Sequence, residues 1–177
     1  MELIIDQEQA SEFEAVEALI RQAFAGEELS DQTEHQLVKR LRNSKAYVTE
    51  LSLTAKRSDG ELLGHIMLTK AQILDGQKAF DTLALAPVSV LPEHQGKGIG
   101  SALINASLKR ANQLGFYSVI VLGNAAYYPK FGFERASRWN IRAPFEVPEE
   151  AFMAIELVPG ALANVSGVVQ YADEFSS

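Results

Sequence analysis

The sequence predicts a single α/β domain, and three observations carry that expectation. Strand-like and helix-like segments follow one another in the order β, α, α, three β, α, β, α, two β. Two of the strands, Tyr47–Arg57 and Glu61–Ile73, meet at Ser58-Asp59-Gly60, which has the composition of a hairpin turn. An apolar run, Leu83–Leu91, passes through a glycine-dense turn, Glu93–Gly100, into the amphipathic stretch Ser101–Leu114. Strand, turn and helix in that succession argue for a mixed architecture rather than an all-β or all-α one.

Taken in order, Glu2–Asp6 reads as a short first strand. Ser11-x-x-Glu14 has the form of a capping box, and Val16, Leu19, Ile20 and Ala23 then share a helical face until Gly26. Asp31-x-x-Glu34 repeats the start signal before a shorter stripe of Leu37, Val38 and Leu41. After the hairpin, Asp75-Gly76 marks another turn, and Ala79–Leu91 forms the fourth strand. Pro87 cannot donate to a ladder, so that strand is expected to be irregular there. The helix 101–114 ends at Gly115, a natural residue for a helix exit. Phe116–Leu122 is almost wholly apolar, as expected of a strand buried on both faces. A short helix is expected near Ala125–Phe131. Two further strands, Ala151–Val158 and Val165–Tyr171, follow among Pro144, Pro148, Pro159 and Gly160. No repeat, low-complexity tract or linker interrupts residues 1–177, which read as one domain.

Composition narrows the function classes. At 47% apolar and 22% charged, the chain is an ordinary globular one. No apolar stretch reaches the roughly 18 residues of a membrane span, and the first residues lack a basic, apolar leader, so no membrane partner and a cytoplasmic location are expected. With no cysteine, disulfides, thiolate metal sites and an acyl-cysteine are excluded, and three scattered histidines supply no metal-ligand spacing. Net charge is −7, and residues 1–45, 46–133 and 134–177 carry −5, +2 and −4. The one basic segment holds the glycine turn. No basic stripe suggests nucleic acid.

The turn itself points to an anion. Its glycines allow positive φ and close backbone approach, the helix start offers unpaired N–H groups, and Lys97 adds a cation. A phosphate-bearing ligand is the inference. A Walker loop fails because Leu91 holds the place of its first glycine and Gly98 follows Lys97. The dinucleotide fingerprint fails on the spacing Gly96, Gly98, Gly100, and because Phe116–Leu122 ends in Gly123-Asn124 rather than an acid.

What does fit is Gln95-x-x-Gly98-x-Gly100, preceded by Val88-Ser89-Val90-Leu91-Pro92. This resembles the acetyl-CoA signature of the GNAT superfamily of N-acetyltransferases. Downstream, Tyr128-Pro129-Lys130-Phe131-Gly132-Phe133 is similar to that superfamily's Tyr-x-x-x-Gly-Phe segment. Leu83 to Phe133 thus resembles the GNAT core, and within it the stand-alone bacterial proteins with Tyr-Tyr-Pro before Gly-Phe. The resemblance implies a mixed, mostly antiparallel sheet of about seven strands, splayed between strands 4 and 5 and flanked by about four helices. It implies acetyl-CoA as co-substrate, with Val88 and Val90 offering backbone groups to the pantetheine arm. Gln95, Gly96, Lys97, Gly98, Ile99, Gly100 and Ser101 would cradle the pyrophosphate. Asn124 would bond the arm, though turn geometry accounts for an asparagine there equally well.

An amine with a lysine-like pKa of about 10.4 is roughly 0.1% or less neutral at pH 7, so acetyl transfer needs desolvation or a base. Without cysteine or a Gly-x-Ser-x-Gly elbow, direct attack in a ternary complex is the simplest route. Tyr128, by the resemblance, is the general acid for the CoA thiolate; packing with Tyr127, Phe131 and Phe133 is the structural alternative. The base is not apparent. Leu83–Val88 is apolar and Asp81 lies near the strand start, which leaves Glu50, His65 or a water chain. Trp139 and the acids Glu146, Glu149 and Glu150 fit an acceptor pocket or plain burial and solvation. A primary amine on a small molecule or peptide is the expected acceptor. A non-catalytic acyl-CoA binding or sensing module on the same fold is the alternative, and an edge strand leaves a homodimer open.

Overall fold

The computed structural model describes residues 2–28 and 30–176. The chain forms β1 (Leu3–Gln7), α1 (Phe13–Phe24), α2 (Glu34–Arg42), β2 (Tyr47–Arg57), β3 (Leu62–Asp75) and β4 (Lys78–Val90). There follow α3 (Ile99–Gln113), β5 (Ser118–Leu122), β6 (Glu134–Arg135), β7 (Ile141–Arg142), β8 (Phe152–Glu156) and β9 (Gly167–Gln170). One sheet runs β1-β2-β3-β4-β5-β8-β6, with β9 on the edge of β3 beyond β2 and β7 on β9. Only β4–β5 and β7–β9 are parallel.

Side-chain alternation divides the sheet into two faces. On one, α3 buries Ile99, Leu103, Ile104 and Leu108 over Leu53, Leu68, Leu83, Val119 and Val121. Each fully buried leucine there contributes about 1.5–3 kcal/mol. Gly64 makes that contact close: a Cβ on it would stand 3.0 Å from Leu103 Cδ1 and 2.9 Å from the Ser89 carbonyl oxygen. On the other face α1 and α2 pack Val16, Leu19, Ile20, Val38 and Leu41 around Met67. A further cluster of Ile73, Ile120, Ile141, Phe152 and Val169 ties β3 and β5 to the C-terminal strands.

The irregularity expected at Pro87 is present. Pairing steps from Ile66–Val88 to Leu68–Leu85, so β4 advances three residues while β3 advances two. Other expectations need correction. The sheet has nine strands rather than about seven, because β6 and β7 span two residues each, too few to show alternation in sequence. Three α-helices form among the described residues rather than about four. Instead of a helix near Ala125–Phe131, a 3₁₀ turn covers Tyr128–Phe131. Pro129 has no N–H to return to the preceding turn, so an α-helix cannot propagate. The capping signals also shift. The backbone N–H of Gln9 donates to Glu12 Oε1 (2.8 Å) ahead of α1, and Asp31 Oδ1 accepts from the Thr33 N–H (3.0 Å) and hydroxyl (2.6 Å) ahead of α2.

Candidate active site

The parallel pair β4–β5 is joined at only two positions, Leu83–Val119 and Ala84–Ile120. Beyond them the strands part, and β4 runs on to Val90 with no strand on that side. Ladder parity shows which groups face the opening. The Leu91 N–H donates to the Leu63 carbonyl (2.9 Å), and Ser89 lies opposite His65. Hydrogen-bonded pairs alternate in an antiparallel ladder, so Val88 and Val90 turn their N–H and C=O groups away from β3, into the opening. The Val90 carbonyl takes one partner there, accepting from Gln95 Nε2 (3.1 Å). An extended chain bearing amides could pair with this edge as a strand would.

At its upper end the opening meets the start of α3. The chain passes through a short turn, Pro92–His94, and through Gly96 and Gly98 at φ +78° and +84°, before the helix begins at Ile99. The first intrahelical bond runs from the Ala102 N–H to the Gly98 carbonyl (3.0 Å), leaving the N–H groups of Ile99, Gly100 and Ser101 to an external acceptor. No acid stands in this first turn. Lys97 Nζ lies 3.5 Å from His94 Nδ1, whose ring reaches back to within 3.6 Å of Glu61. The residues from Gln95 to Ser101 thus form one turn that joins the Lys97 cation to free helix-start N–H groups, a chemistry that could hold an anion.

The turn after β5 forms the opposite wall. Asn124 organises it, its carbonyl accepting from the Tyr127 and Tyr128 N–H groups (3.0 and 3.2 Å) and its Oδ1 from the Ala126 N–H (2.7 Å). Tyr127 bolts the wall to the cradle: its hydroxyl is 3.2 Å from Ser101 Oγ, and Lys130 Nζ sits 4.1 Å above its ring. Tyr128 is buried, edge-on to both Tyr127 and Phe133. Burial, with a smaller contribution from Tyr127, pushes its phenol up to about 12. The phenol has no hydrogen-bond partner among the described residues.

The candidate bases lie elsewhere. Glu50 is exposed on β2, its carbonyl meeting Arg110 at 3.4 Å. Asp81 accepts from Gln72 (3.3 Å) beside a cleft of 1020 Å³ at the far end of β4. His65 is fully buried on the α1–α2 side, its Nε2 2.9 Å from Ser52 Oγ. Ser52 in turn donates to Glu8 (2.8 Å), which pairs with Arg42 (2.7 Å). Since Ser52 donates onward, His65 must donate through Nε2, which leaves Nδ1 buried without a partner. Trp139 packs in the C-terminal cluster beneath Arg138, and Glu149 pairs with Arg135.

On the face opposite α3 the parted strands open into a cavity of 730 Å³. Leu85 and Ala86 of β4 and Ile120 and Leu122 of β5 line one side, and Phe145, Tyr171 and Phe175 the other. Sequence reading missed this grouping of aromatics, and also the tie of Tyr127 to Ser101, the contact of Gly123 with Tyr128 and the Gln95–Val90 bond. Only the dense aromatic run at 127–133 offered a signal. Among the described residues no group of three His, Asp or Glu side chains could hold a metal ion.

Residues 13–133 match the model of the Acetyltransferase (GNAT) family. The chain is 36% identical over 173 residues to YjhQ of Escherichia coli (strain K12), an uncharacterized N-acetyltransferase, across 96% of this chain and 91% of the relative. It is 29% identical over 161 residues to a second such protein of that strain, YhbS, across 91% of each. Among solved structures, that of E. coli YhbS in complex with CoA superimposes with a TM-score of 0.88 at 26% identity, covering 99% of this chain and 92% of the other. A GNAT family acetyltransferase from Brucella melitensis in complex with acetyl-CoA gives 0.80 at 30% identity, covering 98% of each.

Proposed function

The chain belongs to the GNAT acetyltransferase family, and from that premise we propose that it moves the acetyl group of acetyl-CoA to a primary amine by direct attack in a ternary complex. The observation that carries this reading is the edge of β4 at Val88 and Val90, which has no neighbouring strand and leads directly into the Gln95–Ser101 cradle. Edge and cradle are the two halves of a site for a long ligand with a diphosphate at one end and amides at the other. The CoA and acetyl-CoA complexes of the two similar structures support that ligand here.

Bound acetyl-CoA would supply an activated acetyl group as its thioester. The amine nitrogen forms the new C–N bond as the C–S bond breaks; the amine loses a proton and the sulfur gains one. Tyr128 is the donor at the sulfur. A phenol held near 12 lies well above an ordinary thiol at about 8.5, so its contribution is a hydrogen bond to the charge developing on sulfur. Full transfer from that phenol to a thiolate is uphill, so the thiolate departs hydrogen-bonded to the Tyr128 hydroxyl and takes its proton from water. At the β4–β5 opening, apolar Leu85 and Leu122 favour the neutral amine by limiting hydration of the ammonium form. Water reaching the cavity mouth takes up its proton. Tyr127, tied to Ser101, holds the Tyr128 wall against the cradle.

The test is release of free thiol from acetyl-CoA across a panel of amines, with calorimetric binding alongside. Tyr128→Phe should lower kcat by about 100-fold or more while leaving acetyl-CoA affinity within a few-fold. Binding without turnover on every amine would favour a sensing module. Absence of acetyl-CoA binding would sink the reading of the cradle.

A further inference from the structure

The cavity opposite α3 names a class of acceptor, an inference that rests on the acetyl-transfer reading. Three observations bear on it. First, both parted strands contribute to its floor, through Ala86 and Ile120, so a ligand there reaches the gap from the side away from the α3 cradle. Second, its walls are mostly hydrocarbon and aromatic, with Gln170 and Ser176 as neutral polar members. Asp173, at the mouth, is the one carboxylate among the described lining residues, and neither lysine nor arginine joins it. Third, the aromatics are poised for a further ring. Phe145 is 49% exposed and lies nearly parallel to Tyr171, with ring centroids 6.1 Å apart and planes 15° apart, while Tyr171 leans on Phe175 at 5.2 Å. An exposed phenylalanine at a cavity mouth is surface that a bound apolar group would cover.

These walls discriminate among amines. A polyamine or an aminoglycoside would carry its second and third charges against hydrocarbon with a single carboxylate nearby, a costly arrangement. An amine with one cationic end and an aromatic body would hold its nitrogen at the gap and bury its ring. A volume of 730 Å³ suits a ligand of that size. We propose that the acceptor is an arylalkyl primary amine, its ring against Phe145 and Tyr171 and its amino group at the β4–β5 opening. Burial holds the Tyr171 phenol near 12, so it remains neutral and suited to an aromatic neighbour.

The experiment compares kcat/KM for 2-phenylethylamine, ethylamine and spermidine. Calorimetric titration of 2-phenylethylamine into the CoA-saturated protein runs beside it. The arylalkylamine should exceed both others by about 100-fold, and Phe145→Ala should reduce that advantage about tenfold. Phe145 is half exposed, so the variant should fold, and unchanged CoA affinity checks this. Preference for spermidine or ethylamine, or an advantage indifferent to Phe145→Ala, overturns the proposal. If no amine turns over although CoA binds, the transferase reading fails and the titration decides the cavity separately. Binding weakened about tenfold by Phe145→Ala then supports the aromatic site, and no binding overturns it.

Discussion

The ring of Tyr128 lies across the α-carbon of Gly123: a methyl group built on that glycine would stand 2.4 Å from the ring's Cε2 and 3.0 Å from its Cδ2. Gly123 directly follows β5 with its N–H donated to the Ala151 carbonyl (2.9 Å), so the backbone there is fixed and the ring must yield. The orientation of the proposed donor is therefore set by a residue with no side chain. Gly123→Ala should cost about 1–3 kcal/mol of stability and lower kcat by about 100-fold. Acetyl-CoA affinity should change little. Added to Tyr128→Phe, the substitution should lower kcat no further, since both act through one hydroxyl. Additive losses in kcat would show that Gly123 acts by another route.

Gly98 offers a cleaner separation of backbone from contact. Its φ is +84°, yet an added Cβ would meet no atom within 4 Å. Gly98→Ala therefore acts by backbone preference alone, at about 1–2 kcal/mol. The free turn can relax from the strained φ and meet the cost only on binding, so the expected result is a roughly tenfold loss of acetyl-CoA affinity by calorimetry, with little change in Tm. Gly98→Asn should lose less, because asparagine tolerates the left-handed region. Equal affinity in all three proteins would mean the cradle does not need this geometry.

The sequence was most legible where one residue type has one physical use. The turn at 93–100 showed its helix start because glycines and the following amphipathic stripe coincide, and Pro87 marked the break in β4 because it cannot donate. It was least legible where partners are distant in the chain. Nothing near His65 announces Ser52 of β2, Arg42 of α2 and Glu8 just past β1. Phe145, Tyr171 and Phe175 have no shared period, and only the folding of β9 along β3 brings them beside β5. The Tyr127–Ser101 contact spans 26 residues and depends on a 3₁₀ turn where a helix was expected.

The pair Arg42–Glu8 fixes how α2 meets β1. The Glu8 side chain is fully buried and Arg42 nearly so, with Nη2–Oε2 at 2.7 Å, a second bond to Glu17 at 2.6 Å, and the Phe13 ring 4.1 Å from the guanidinium. Arg42→Met keeps bulk but strands a buried carboxylate, and should cost about 3–5 kcal/mol in urea denaturation. Adding Glu8→Gln should restore at least half of that, since the uncompensated charge is then gone. A double variant no more stable than Arg42→Met would instead assign the loss to packing on Phe13.

His65 predicts a pH dependence whose sign can be worked out. Burial, with Arg42 nearby, drives its pKa down from the usual 6.5 to about 3. The unfolded chain then binds a proton near pH 6.5 that the native chain refuses, so stability falls as pH drops below 6.5 and keeps falling toward pH 3. At pH 5 this one group lowers stability by roughly 2 kcal/mol relative to neutral pH. His65→Gln retains an N–H for Ser52 and cannot titrate. Its stability at pH 7 should be lower than that of the parent, because the amide fills the ring's place less well. Its further loss between pH 7 and pH 5 should be smaller than the parent's by about that 2 kcal/mol, measured by urea denaturation at each pH. Parallel profiles would mean that His65 takes up a proton in the native state, and that its Nδ1 is reachable from solvent.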